Sequence, residues 1–142
     1  MKYLSALILV VLGLGFSSCG SSVGLDGGSG YSSAYANSTD IEKARRITKE
    51  VFAEEGFIFI GASHSTLSFQ KEGGASAQVV WGSYGHRVMI QPDVLVQQQG
   101  SRILLDCELY LSSFNGDDRK PWLAGKGPYK RLMREIKRRI ES

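Results

Sequence analysis

Two cysteines, two histidines, one pair of closely spaced carboxylates and a dense run of cations are the groups through which this 142-residue chain could do chemistry. Nucleophilic catalysis needs a nucleophile held beside a base. His64, in Ala62-Ser63-His64-Ser65, and His86, after Gly85, are the candidate bases. Each falls between two apolar alternations, where loops form, and neither has a second histidine at metal-ligand spacing. No Cys-x-x-Cys pair occurs, so the pattern points to no zinc site and no cofactor. Cys107 alternates with polar residues on the apolar side of a period of two and reads as a small buried hydrophobe. Asp106 and Glu108 share the other side of that segment with Tyr110. Two carboxylates can serve acid–base chemistry, but on an outward face they read as solvated charges.

The cations are the clearest signal. From Arg119 to Ser142 there are nine basic side chains against two acidic ones; from Asn37 to Asp118 there are seven basic against eleven acidic. Lys126, Lys130, Arg131, Arg134, Lys137, Arg138 and Arg139 are the candidate contacts for an anionic partner. Gly125-Lys126-Gly127 lacks the spacing of a phosphate-binding P-loop and reads as a loop and helix start.

Periodicity supplies the elements that must carry these groups. Thr39-Asp40-Ile41-Glu42 fits a capping box with Thr39 as N-cap. Ile41, Ala44, Ile47, Thr48, Val51 and Phe52 then recur at helical spacing, predicting a helix over 40–55 stopped by Gly56. A period of two follows: Phe57–Ile60, Leu67/Phe69, Ala77/Val79/Trp81, Val88/Ile90, and Ile103 through Leu111. Short turns between these segments imply antiparallel pairing. Pro92 must sit at a bulge, an edge or a strand end. Tyr129, Leu132, Met133, Ile136 and Ile140 form the apolar stripe of a closing helix over 129–140. The expected fold is α+β: a two-layer sandwich of an antiparallel four- to five-stranded sheet with an N-terminal and a C-terminal helix on one face. The other face, with Gln78, Val80, Arg87, Met89, Gln91, Leu104, Asp106, Glu108 and Tyr110, is then a mixed surface. Arg87, Met89 and Tyr110 are its candidate partner contacts.

The N-terminus carries an address. Lys2 precedes Leu4–Leu14, an uncharged apolar run too short to span a bilayer core as a helix. Phe16-Ser17-Ser18-Cys19 follows it and resembles the lipobox that ends the signal peptide of bacterial lipoprotein precursors, with Phe16 where that family usually has Leu. The resemblance covers the first twenty residues and implies that residues 1–18 are removed and Cys19 is acylated. It also implies a bacterial envelope location, with Gly20 leaning toward the outer membrane facing the periplasm. Residues 19–38 are rich in Gly and Ser and read as a lipidated cysteine and flexible tether. Residues 39–142 are then one folded domain.

These readings point to a small membrane-anchored binding or assembly module without catalysis, with an envelope protein or polymer as partner. An envelope enzyme using His64 or His86 is a second reading. A third is an electrostatic binder that presses its basic C-terminal helix on anionic lipid or polysaccharide. The export signal argues against nucleic acid.

Overall fold

The polypeptide alternates between helix and strand where its apolar period changes, and a computed structural model describes residues 32–75, 77, 87–114, 118–122 and 127–142. Along the chain run β1 (Ser32–Ala36), α1 (Ile41–Glu54), β2 (Ile58–Ser63), β3 (Thr66–Glu72), β4 (Val88–Gln99), β5 (Arg102–Ser113), β6 (Arg119–Pro121) and α2 (Gly127–Glu141). The architecture is α+β, with one antiparallel sheet ordered β1-β5-β4-β3-β2 and β6 paired to β5 beside β1. The sheet has six strands rather than four or five. Cys19, residues 20–31, Gln78, Val80, His86 and Lys126 lie outside the described residues.

Both helices form as their apolar spacing dictates. Ala44, Ile47, Thr48, Val51 and Phe52 are buried on α1, and Thr48 Oγ1 donates to Ala44 O at 2.8 Å, so its hydroxyl is satisfied inside the core. The N-cap is Asp40, not Thr39. Its carboxylate accepts from Lys43 N at 2.9 Å, and a charged oxygen is a stronger partner for the helix start than a hydroxyl. Gly56 follows at φ +83°, a conformation that costs a glycine little. Phe57 then turns inward to meet Phe52 at 5.4 Å and Tyr129 at 6.1 Å. On α2 all five residues of the stripe are buried. Each contributes on the order of 1.5–3 kcal/mol by leaving water.

β5 is the spine of the sheet. Ile103, Leu105, Cys107, Leu109 and Leu111 are buried on the helix side, and the first four join Val94, Val96, Leu67 and Phe69 in one core. Burial pushes the Cys107 thiol far up, which removes it as a nucleophile. A smaller cluster of Ala77, Val88 and Leu111 touches Ile90 and Trp122, which also pack on the main core.

Residues 32–36 are not tether: β1 pairs with β5 from Ser32↔Cys107 to Ala36↔Ile103, and Ser32, Ala34 and Ala36 are buried. Small side chains there let α2 pack close. Ala77 does not begin a strand; it is helical, and its N–H donates to Gly74 O at 3.1 Å. Pro92 is neither at an edge nor at a strand end, but inside β4 between two neighbours. Val96 N donates to Ser65 O, and Val88 O accepts from Gly73 N, so even-numbered β4 residues direct their polar groups toward β3. The imino nitrogen therefore faces β3, and there no pairs form between Ser68↔Asp93 and Lys71↔Ile90, although the register is the same on both sides and holds no bulge. β5 keeps its unbroken register with β4.

Candidate functional site

The cations of α2 divide into two flanks with different surroundings. Toward α1, Arg131 meets Glu55 at 3.3 Å, and Arg139 grips Glu54 with two nitrogens at 2.8 and 2.7 Å. Glu135, on α2 itself, accepts from Arg138 at 2.7 and 2.9 Å and from Arg139 at 2.8 Å. The Arg138 and Arg139 guanidiniums hold the Glu135 carboxyl down to about 2, and Arg139 lowers that of Glu54. Arg131 and Arg139 fasten helix to helix, and Arg138 pairs within α2.

The other flank carries Lys130, Arg134 and Lys137, spaced four and three residues apart and so stacked on one side of the helix. None of the three forms an ion pair with a described residue; Arg134 Nε reaches only the carbonyl of Lys130, at 3.3 Å. With Ser33, Ala34 and Tyr35 they line a groove of about 270 Å³ between α2 and β1. Among the described residues no acidic side chain lines it. Arg102 adds a fourth cation beside it, with its guanidinium 4.9 Å from the Tyr35 ring. Asn37 N donates to Glu141 Oε1 at 2.8 Å, and Lys43 Nζ donates to Ile140 O at 2.9 Å. Both contacts hold the C-terminal end of α2 to the β1–α1 connection. What this arrangement can do is hold negative charge in a concave, partly apolar slot.

The backbone of β1 completes the slot. Trp122 N donates to Leu109 O, so odd-numbered β5 residues direct their polar groups toward β1 and β6. Ser32, Ala34 and Ala36, opposite Cys107, Leu105 and Ile103, therefore bond to β5. By alternation, Ser33 and Tyr35 direct their N–H and C=O groups outward at the end of the sheet.

The expected sheet-face contacts do not form a comparable surface. Met89 is only 9% exposed, so it is not offered to a partner. Arg87 lies at the sheet end, 3.7 Å from Glu72 and over the Phe114 ring. Tyr110 is roofed by Arg119 of β6, whose guanidinium stands 3.7 Å from the ring and bonds Asp93 at 2.7 Å. The Tyr110 hydroxyl donates to Glu108 Oε2 at 2.5 Å, which pushes it up to about 12. Burial, then the Glu108 charge, raises the Asp106 carboxyl. Asp93 and Glu108 lie directly opposite one another across the strands, and Arg119 offsets their repulsion. The three-residue β6 is too short to carry a period, so residue order gives no sign of this knot.

His64 occupies the β2–β3 turn at φ +47°, exposed, with its carbonyl accepting from the Arg45 guanidinium. The nearby cleft between α1 and the β2–β3 hairpin is lined by Glu42, Arg45, Arg46, Lys49, Glu50, Ala62 and Leu67, without His64. Among the described residues no three His, Cys, Asp or Glu side chains group closely enough to hold a metal ion. Nor is any described helix long and apolar enough to cross a membrane.

Compared with known proteins, the chain matches no family model and no curated sequence.

Proposed function

We propose that the protein is a small lipid-anchored module of a bacterial envelope that binds an anionic partner, without catalysis, in the groove between α2 and β1. The observation that carries this reading is the contrast within α2: Arg131, Arg138 and Arg139 are held by carboxylates, whereas Lys130, Arg134 and Lys137 face a slot without one. Three cations without an ion pair to a described residue raise the local concentration of anions on one wall and steer them inward. The slot is concave, which suits a chain-like partner better than a flat bilayer. Anchoring rests on the lipobox-like Phe16-Ser17-Ser18-Cys19.

The test of the groove is titration of the full chain in detergent with fluorescent polyglutamate at rising salt. Salt-sensitive binding is expected, lost when Lys130, Arg134 and Lys137 all become Gln and kept when Arg131 and Arg138 do. Equal binding by both variants overturns the reading. Metabolic labelling with a palmitate analogue tests the anchor: the label must disappear with Cys19→Ala.

A further inference from the structure

We infer that the partner enters as an extended acidic protein segment that adds a strand to the outer edge of β1. This rests on the anionic-groove reading and says how the groove is filled. Ser33 and Tyr35 present outward N–H and C=O groups at the end of the sheet, a template for one more strand. A strand laid there sits about 4.8 Å beyond β1. Its helix-side residues then lie beneath Lys130, Arg134 and Lys137, which line the same groove as Ser33 and Tyr35.

The spacing fits. Alternate residues of a strand repeat about every 6.7 Å. Lys130 and Arg134 are offset by about 6 Å along α2, and Arg134 and Lys137 by about 4.5 Å, within the reach of long flexible side chains. Acidic residues at every second position would each find a cation. The residues between them would fall on the open-face side, beside Tyr35 and its Arg102 lid. A second copy of this chain is a poor occupant, because pairing β1 with β1 would bring two sets of three cations together. A sugar polymer or lipid headgroup could answer the charge, but neither carries amides at the repeat of a strand.

The experiment uses the full chain in detergent and a short fluorescent peptide of alternating glutamate and valine, read by anisotropy. A matched peptide carries N-methyl groups on alternate amides, which keeps its charge and removes its strand-forming donors. The parent should bind; the methylated peptide should bind about tenfold or more weakly, as loss of a few backbone hydrogen bonds implies. Binding of the parent should slow amide exchange at Ser33 and Tyr35. Ser33→Pro should weaken the parent similarly, since it removes an outward N–H that β5 does not use. Equal affinity of the two peptides overturns strand addition while leaving the anionic groove standing, provided the triple Gln variant still abolishes binding. No binding of the parent, with polyglutamate or anionic vesicles still bound through the three cations, overturns strand addition in favour of a polymer or a lipid surface. Binding indifferent to the three cations overturns both readings together.

Discussion

On the flank of α2 that faces α1, arginines close on carboxylates; on the flank that faces β1, chemically similar side chains form no ion pair with a described residue. The helix is one, its charge pattern is nearly uniform, and its stripe of five buried residues serves both flanks. What separates them is the neighbour. α1 ends in Glu54 and Glu55, directly across from Arg139 and Arg131, whereas β1 offers Ser, Ala and Tyr. A cation with a fixed counter-ion is structural, and a cation without one is available. The lesson is that a basic helix is not a binding surface until its counter-ions have been located.

The largest blow to this contrast is removal of the scaffold both flanks share. Ile136→Ala, at a fully buried site, should cost about 2–5 kcal/mol in chemical denaturation and weaken both flanks. A selective change should split them. Arg139→Gln removes the bidentate grip on Glu54 and should lower the melting temperature visibly, while Lys137→Gln should leave it nearly unchanged and weaken polyglutamate binding. Equal effects on stability would erase the distinction.

Acid should weaken the paired flank. Glu135 and Glu54 have folded values held below the ordinary 4.5, Glu135 at about 2. Their contribution is therefore full above pH 4.5 and lost as pH falls toward 2. Melting curves across that window should converge for the native chain and Arg139→Gln. The smallest effect is expected on the open face. Asp106 has a raised carboxyl, so its ionised form opposes folding at neutral pH. Asp106→Asn should raise the melting temperature slightly at pH 7, an advantage that fades as pH falls through the raised folded value and is gone below the ordinary 3.8.

The second comparison is between the two ends of the sheet. β2 exposes Ile58, Phe59 and Ile60 without a charge in the strand, with Lys49 standing 4.4 Å over Phe59. A bulge between Phe59 and Gly61 interrupts its register with β3 and twists that edge away from a flat template. β1 keeps an unbroken register against β5 and sits beneath three free-standing cations. One end is spoiled for pairing by its backbone, and the other is made selective by its charges.

Much of this architecture can be read from residue order. The stripe Tyr129 to Ile140 and the alternation Ile103 to Leu111 are long and strongly apolar, and both are buried as the spacing predicts. A helix or strand that must bury one side writes that need into its own sequence, because the period is a property of the local backbone. β1 escaped because Ser32, Ala34 and Ala36 bury too little apolar area to register against a Gly- and Ser-rich background. β6 escaped because three residues hold no period. The place of Pro92 is not legible in residue order, because its cost depends on which neighbour its nitrogen faces. The division among Lys130, Arg131, Arg134, Lys137, Arg138 and Arg139 was out of reach for the same reason. Periodicity settles that all six point away from the apolar stripe. Which of them meet Glu54 and Glu55 depends on residues some eighty positions away, brought near only by packing of α1, α2 and β1 on a common core. Coulomb interactions act through space, so their outcome waits on the folded arrangement rather than on position along the chain.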